Sequence, residues 1–281
     1  MRRPLFMLGL LATLLMSGCD NAFDPDAPGD HYFALYGVLD GRRATQQIRV
    51  EDLAVSLNVP DQIDAQLTVR DLGSGEVSDG RDSLITLDDG ERSHLFLVPF
   101  LVQPGGAYEV EVTRLGEPTS MSSARITVPS PWAVRVNTTF EQPPDSGQLL
   151  QRIVLLDGSL PLVGPVMIEY DVQHRGTGEL HQFSFPRDVL TSTEGLVLSI
   201  ELTEQVESIR EALGVAPDDD QALALERVAI HYTRASTETS PVQQGVGAFG
   251  WITPFESPWV LDAETLALLG LVDAQGGGLG L

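Results

Sequence analysis

Three aromatic residues near the carboxyl end are the strongest candidates for a binding site in this sequence. Trp251, Phe255 and Trp259 are spaced four positions apart, and Pro254 and Pro258 lie between them. Aromatic side chains on a proline-rich loop can stack on a ligand or anchor a protein partner. The same side chains can also close the end of a hydrophobic core, and the sequence leaves both interpretations open.

A glycine-rich segment directly precedes these aromatic residues. Gly245, Gly247 and Gly250 have the spacing of the G-x-G-x-x-G fingerprint of dinucleotide sites. That fingerprint needs a helix after the glycines and an acidic residue about 20 positions further on. Residues 251–254 look extended and end in proline instead. We therefore predict that the glycines let a strand pack closely against its neighbours.

The histidines and acidic residues of this sequence give little indication of a metal site or of acid–base catalysis. The chain has five histidines, which are His31, His94, His174, His181 and His231. His174, His181 and His231 could in principle meet around zinc, but the strand faces on which they are predicted to lie argue against it. The G-x-S-x-G nucleophile motif does not occur, and acidic pairs such as Asp88-Asp89 are expected in solvated turns. We predict no metal, no cofactor and no enzymatic activity.

The single cysteine, Cys19, follows a segment with the features of an export signal. Met1-Arg2-Arg3 precedes an apolar run of about 13 residues, shorter than the roughly 20 that span a bilayer. Met16-Ser17-Gly18-Cys19 resembles a bacterial lipobox, with Met16 in place of the usual leucine. The resemblance implies removal of residues 1–18 and acylation of Cys19, for example with palmitate, as a membrane anchor. The alternative is an ordinary secretory signal with an incidental cysteine.

Residues 19–30 are predicted to form an acidic tether. The segment from Asp24 to Asp30 is polar and rich in proline and glycine, which favours a solvated linker. Its D-x-D-x-x-x-D spacing could instead recruit calcium, although the glycine and final glutamate of an EF-hand loop are missing. Acidic residues after a lipidated cysteine resemble surface-export signals in some Gram-negative bacteria. In others, Asp20 would imply inner-membrane retention.

Composition restricts the class of partner. The chain has 40 acidic and 17 basic residues, all of the latter arginine, so its formal net charge is -23. Such an acidic protein repels a phosphate backbone, and we predict no nucleic-acid partner. One cysteine rules out a disulfide framework, and the 42% apolar content is enough for a hydrophobic core.

The pattern of short alternating segments and turns predicts a mainly β fold. About seven strands in roughly 100 residues are typical of an immunoglobulin-like β-sandwich, which we place at 31–129. Pro129-Ser130-Pro131 predicts a boundary, followed at 130–270 by a second β-rich (α+β) domain with one or two short helices. The glycine-rich tail, 271–281, is predicted to be disordered.

One segment of the first half is more specific. Tyr108 follows the turn Pro104-Gly105-Gly106 and begins an alternating strand. This arrangement resembles the corner between strands E and F of fibronectin type III domains, where a tyrosine hydroxyl bonds to the backbone upstream. A plain hairpin strand in another β fold is the alternative.

Helices are expected only in the second half. Helical periodicity places four apolar residues on one stripe: Leu202, Val206, Ile209 and Leu213. Thr203 is the predicted cap of this helix, and Gly214 is its predicted stop. A second short helix is predicted to begin near Pro217, and a last one at Asp262–Leu269.

Several segments together resemble a large family of uncharacterised bacterial lipoproteins that are typically encoded beside TonB-dependent outer-membrane receptors. Besides the lipobox, the matching segments are 36–40, 47–50, 103–108, 124–129 and the closing Gly245–Gly250. The resemblance implies a lipid-anchored envelope protein, in the outer membrane, that acts as the partner of a transporter. It implies no catalytic residues.

Three functional hypotheses follow. The leading one is a non-enzymatic envelope lipoprotein that binds an outer-membrane receptor or transporter. The second is a surface module that binds a glycan or peptide through exposed aromatics such as Trp251 and Trp259. The third is an enzyme of unrecognised type.

Overall fold

The computed structural model describes residues 31–54, 59–88, 90–137, 139–156, 161–193, 195–217, 219, 221–237 and 239–274. The predicted signal peptide, Cys19 and the acidic tether lie outside these residues, as does most of the predicted tail. The beginning of that tail is ordered, because Val272–Asp273 forms a short strand and Leu271 is buried. From His31 onwards the chain forms one compact unit.

The fold is mainly β, as predicted from the alternating pattern. The first half contains β1 (Phe33–Asp40), β2 (Thr45–Asp52), β3 (Ala65–Asp71), β4 (Val77–Asp79), β5 (Arg81–Thr86), β6 (Arg92–Pro99), β7 (Ala107–Arg114) and β8 (Glu117–Thr127). The second half contains β9 (Val134–Val136), β10 (Phe140–Glu141), β11 (Leu149–Leu156), β12 (Val166–His174), β13 (Glu179–Arg187), β14 (Leu190–Ser192), β15 (Gly195–Glu201), α1 (Leu202–Leu213), β16 (Leu223–Ala235), β17 (Ser240–Pro241), β18 (Gly245–Trp259), α2 (Ala263–Leu268) and β19 (Val272–Asp273).

The first half has the strand order of an immunoglobulin-like sandwich. Strands β1-β2-β6-β5 are neighbours in one sheet, and β4-β3-β7-β8 form the other. When the eight strands are lettered A, B, C, C′, D, E, F and G along the chain, the first sheet has the order A-B-E-D and the second has the order C′-C-F-G. This is the arrangement of immunoglobulin-type folds. Inward side chains alternate along each strand, as Tyr108, Val110 and Val112 do on β7, and meet in the buried core.

The tyrosine corner is present as predicted. The Tyr108 hydroxyl accepts a hydrogen bond from the Gln103 backbone N–H at 2.7 Å and donates to the Gln103 carbonyl at 3.2 Å. The ring lies over Gly106, where a Cβ atom would be 2.1 Å from the hydroxyl, and Gly105 turns the chain at φ +79°. Only glycine fits beneath the ring, which explains the paired glycines of this turn.

The second half repeats the same strand order. Strands β9-β11-β15-β14 form one layer, and β13-β12-β16-β18 form part of the large sheet. These are again A-B-E-D and C′-C-F-G, with α1 inserted between β15 and β16, which are strands E and F. The second β-rich segment therefore has the topology of a second sandwich, which the pattern of apolar residues alone did not specify.

Strand β18 joins the two halves. Its residues 245–252 pair in parallel with β1, and residues 252–259 pair antiparallel with β16. The large sheet therefore runs β13-β12-β16-β18-β1-β2-β6-β5 through both segments that the sequence divides at 129/130. The two halves are thus continuous in one sheet, because one fifteen-residue strand is long enough to contribute to both.

The helices are the two that the apolar periodicity predicts best. In α1, Leu202, Val206 and Ile209 are buried, and Gly214 ends the helix in the left-handed conformation at φ 67°. Thr203 is not the cap: its hydroxyl instead accepts from the Leu149 N–H at 2.9 Å. Asp262 caps α2 by accepting from the Thr265 N–H at 2.7 Å.

The helix predicted near Pro217 is wrong, since that residue lies in a turn. The Asp219 N–H donates to the Ala216 carbonyl at 3.1 Å, which closes a tight turn before β16 begins. Within the residues that the structure describes, no helix has both the length and the apolar character needed to cross a membrane.

Candidate functional site

The three candidate aromatics lie on a strand and not on a proline-rich loop. Trp251, Phe255 and Trp259 all belong to β18, where Phe255 and Trp259 are only 2% and 6% exposed. The Trp259 indole N–H donates to the Gln151 side chain at 3.0 Å inside the core. The prediction that these three residues form an exposed surface is therefore wrong for Phe255 and Trp259. The alternative, that they fill the core, is confirmed for these two.

The prolines between them are compatible with a strand because of where β1 ends. The pairing of β18 with β1 finishes at Ile252, opposite Asp40. Pro254 and Pro258 follow beyond that point, where β18 continues its pairing with β16. Proline has no backbone N–H to donate. It is therefore tolerated in a strand where one side has no neighbouring strand that needs a hydrogen-bond donor.

Phe255 of β18 belongs to a buried stack of three rings within the second half. Trp132 stacks on Tyr232 with ring centroids 4.7 Å apart, and Tyr232 stacks on Phe255 at 5.5 Å. The Tyr232 hydroxyl accepts from the Trp132 N–H at 2.7 Å, and burial raises the pKa of this tyrosine. The stack fixes the segment that follows the predicted proline boundary.

Arg234 covers this stack with its guanidinium group. Its central carbon lies 4.3 Å from the Trp132 ring centroid, 5.2 Å from that of Phe255 and 5.8 Å from that of Trp251. Burial against these rings lowers the pKa of Arg234. Trp251, the remaining candidate, is partly buried here, with its ring edge-on to Phe255 at 6.1 Å.

A wide groove on the described surface is lined in part by Trp251. It has a volume of about 750 Å³ and follows the line where β1 and β18 pair. Tyr36 and Val38 of β1 project into it, with the neighbouring Ala248 and Gly250 of β18 supplying little side-chain volume. Both Tyr36 and Val38 are exposed, which is unusual for large apolar residues on a central strand.

The glycine-rich segment shapes this groove. At Gly247, with φ +120°, a Cβ atom would lie 2.0 Å from the Leu35 carbonyl oxygen. At Gly250 a Cβ atom would lie 2.6 Å from the Ser236 hydroxyl. The prediction that these glycines allow close strand packing is confirmed. The strand runs on through the segment with no helix after it, so the dinucleotide fingerprint is not met.

A second, smaller groove of about 250 Å³ continues from the first. The two share Val38 and Ile252 in their linings, and the smaller one adds Arg42, Arg43 and Asp40. We call the two together the β1–β18 groove. Sequence reasoning identified only Trp251 within it, because the outward residues of β1 become neighbours of β18 only through a pairing of distant segments.

Arginines dominate the charge of the β1–β18 groove. Arg49 stacks on the Tyr36 ring at 4.6 Å, and its Nε atom lies 3.3 Å from Glu51. Arg42 contacts both carboxylate oxygens of Asp40 at 2.8 Å, and Arg43 contacts Asp40 at 3.4 Å. The Arg42 guanidinium holds the pKa of the Asp40 carboxyl below its ordinary value.

The histidines weighed for zinc do not meet. His174 accepts backbone N–H groups of its own turn, His181 lies 3.7 Å from Glu179, and His231 lies 3.2 Å from Glu169. Among the residues that the structure describes, no three His, Cys, Asp or Glu side chains are grouped closely enough for a metal ion.

A carboxyl pair that the sequence analysis missed lies at the start of α1. Glu201 and Glu204 line a cavity of about 480 Å³ together with Glu207. A hydrogen bond with Glu204 raises the pKa of Glu201. Their spacing of three positions at a helix start was the available signal, but acidic residues are too frequent in this chain for it to stand out.

Comparisons with known proteins give little further information. No family model matches the chain, and no curated protein matches it. Similar solved structures include a pullulanase from Anoxybacillus sp. LM18-11, free and complexed with maltotriose, at 12% and 13% sequence identity and a TM-score of 0.23. The match covers 75% of this chain but only 25% of the pullulanase chain, and it is too distant to carry a functional argument.

Proposed function

We propose that the protein is a non-enzymatic, lipid-anchored lipoprotein of the bacterial envelope that binds a protein partner through the β1–β18 groove. The observation that carries this proposal is the exposed apolar side of β1. Val38 is 51% exposed beside half-buried Ile252 and Trp251, on a sheet whose other face is filled by core side chains. Exposed apolar residues that border a groove favour an interaction surface.

The proposed partner is a TonB-dependent receptor of the outer membrane. This part of the proposal rests on the lipobox at Cys19 and on the family resemblance of the mature chain. Acyl chains on Cys19 would hold the protein at the membrane, where the proposed receptor lies, and raise the effective concentration of the two.

Affinity purification from native outer membranes tests the proposal. Tagged wild-type protein is expected to bring a TonB-type receptor with it. Val38→Gln, which places an amide in the groove, is expected to lose the receptor. Val77→Gln is the matched control, since Val77 is 44% exposed on β4, away from the groove. Failure of the wild-type protein to recover any receptor would contradict the proposal.

The anchor is tested separately by membrane fractionation. Cys19→Ser is expected to move the protein from the membrane pellet to the soluble fraction, because no acyl chain can then be attached. Continued sedimentation of the variant with membranes after a high-salt wash would contradict lipid anchoring at this residue.

A glycan-binding module is the second candidate, and Trp251 is the residue that favours it. Trp251→Ala is then expected to abolish retention on a glycan array while leaving the fold intact. Trp259→Ala should instead lower stability, since Trp259 is buried. An enzyme is the third candidate, and Glu201→Gln, which removes one carboxyl of the pair in the α1 cavity, would test it.

A further inference from the structure

The β1–β18 groove differs in charge from the rest of the molecule. Across the chain, acidic residues outnumber arginines by 40 to 17. Among the residues that the structure describes, Arg42 and Arg43 of the groove pair with Asp40, and Arg49 pairs with Glu51. The groove therefore carries a local excess of positive charge on an otherwise strongly acidic protein, and it favours an anionic occupant.

The arginines remain available to such an occupant. Arg42 is held on Asp40 by two short contacts, but Arg43 reaches the same carboxylate only at 3.4 Å and is 58% exposed. The guanidinium of Arg49 lies over the Tyr36 ring, with its central carbon 4.6 Å from the ring centroid, which restricts its position at the edge of the groove. A preorganised guanidinium binds a carboxylate with little further loss of side-chain entropy.

The apolar part of the groove distinguishes a polypeptide from a sugar. Sugars stack on open aromatic faces, but one face of the Tyr36 ring already carries Arg49, and Trp251 lies partly buried against Phe255. The most exposed apolar group of the groove is the aliphatic Val38, at 51% against 37% for Tyr36, and it lies beside half-buried Ile252. Aliphatic side chains of a peptide fit such a surface better than a hydroxylated ring does.

We infer that the β1–β18 groove binds an acidic polypeptide segment that alternates carboxylates with aliphatic side chains. Its carboxylates meet Arg43 and Arg49, and its aliphatic groups pack on Val38 and Ile252. This inference rests on the proposed function, because it names the kind of segment that the protein partner must present.

Fluorescence anisotropy with two defined peptides tests the inference. The probe is a labelled peptide of alternating Asp and Leu, and the reference is the same length of alternating Asn and Leu. The mature full-length protein should bind the acidic peptide about tenfold more tightly, and the difference should shrink as salt is raised. The double variant Arg43→Gln with Arg49→Gln should lose this preference.

Arg125→Gln is the matched control. Arg125 is 67% exposed on β8 and pairs with Glu109 at 2.8 Å, so the change removes one charge and one ion pair outside the groove. Its preference for the acidic peptide should remain that of the wild type. Equal binding of both peptides by the wild type, or an unchanged preference in the double variant, would overturn the inference. Tighter binding of an oligogalacturonate than of the acidic peptide would overturn it in favour of an acidic sugar.

The two proposals fail in different ways. If the double variant still recovers the receptor from native membranes, the acidic-segment inference is wrong while the proposed function stands. If the acidic peptide binds as expected but the wild-type protein recovers no receptor, the inference that the groove binds an acidic segment stands. The proposed partner is then wrong.

Discussion

At the scale of single residues, a few polar contacts hold positions that apolar packing cannot specify. Tyr108 is fully buried, yet its hydroxyl satisfies both the N–H and the carbonyl of Gln103. Asp40 is similarly enclosed and accepts hydrogen bonds from the Arg42 backbone and side chain. Each such contact satisfies groups that would be costly to bury alone.

Tyr108→Phe is expected to lower the free energy of unfolding by about 1–3 kcal/mol, because the Gln103 N–H loses its buried acceptor. Urea denaturation of the two proteins measures the change. Tyr36→Phe is the control, since its ring lies at the surface and the loss should stay below about 0.5 kcal/mol. Equal losses of unfolding free energy in the two variants would show that the buried Tyr108 hydroxyl stabilises the fold no more than the surface hydroxyl of Tyr36 does.

Asp40 makes stability dependent on pH in the acid range. Its pKa in the folded protein lies below the ordinary value of 3.8, with the Arg42 hydrogen bond as the largest cause. The unfolded chain therefore binds the proton more readily, so this contribution is present above pH 3.8 and is lost as the pH falls through the folded-state pKa.

Unfolding free energies of wild type and Asp40→Asn, compared between pH 5 and pH 2.5, check this effect. The wild-type advantage should shrink on acidification, because a protonated Asp40 no longer pairs with Arg42. If the difference in unfolding free energy between wild type and Asp40→Asn stays constant from pH 5 to pH 2.5, Asp40 does not make stability dependent on pH.

At the scale of elements, the sequence correctly predicted the strands and the helix whose formation depends on residues within a single segment. The alternation of Tyr108, Val110 and Val112 and the stripe of α1 both depend on neighbours within one segment, and both elements form as expected. The carboxyl half of β18 is predicted as a proline-rich loop, because proline normally interrupts strands, and the partner of its glycine-rich half is not predicted. Its glycines are required by contact with β1, more than 200 residues away, as at Gly247 against Leu35. Residues within one segment give no sign of such a partner.

Gly247→Ala tests this element. The new methyl group would meet the Leu35 carbonyl oxygen, so we expect a loss of roughly 3 kcal/mol or more and weakened pairing of β1 with β18. Gly75→Ala is the matched control. Gly75 also has a positive φ of 78° but has no atom within 4 Å of its Cβ position, and its loss should be about 1 kcal/mol. Hydrogen exchange at Phe33 to Val38 would locate the effect.

At the scale of the whole molecule, two sandwiches share one sheet and one continuous set of buried side chains. The pairing of β1 with β18 joins the two halves, and the ring stack of Trp132, Tyr232 and Phe255 lies within the second half. The sequence predicted that both halves are mainly β, with about seven strands in the first half, where the structure has eight. It could not predict the junction, because that depends on which edge of one half meets which edge of the other.

The shared sheet predicts cooperative unfolding of both halves. Differential scanning calorimetry should give a single transition, with a van 't Hoff enthalpy equal to the calorimetric enthalpy. Gly247→Ala should separate this transition into two or broaden it, because it disrupts the pairing that joins the halves. Two well-separated transitions in the wild-type protein would contradict the argument.

The parallel pairing of β1 with β18 also has a consequence for how the chain matures. Phe33 leaves the ribosome among the first residues of the folded part, but its partner Gly245 follows roughly 210 residues later. Until then, one edge of β1 presents unsatisfied backbone groups that can template association with another chain. Nascent or truncated chains that end before Gly245 should therefore depend on holdase chaperones that cover this edge of β1.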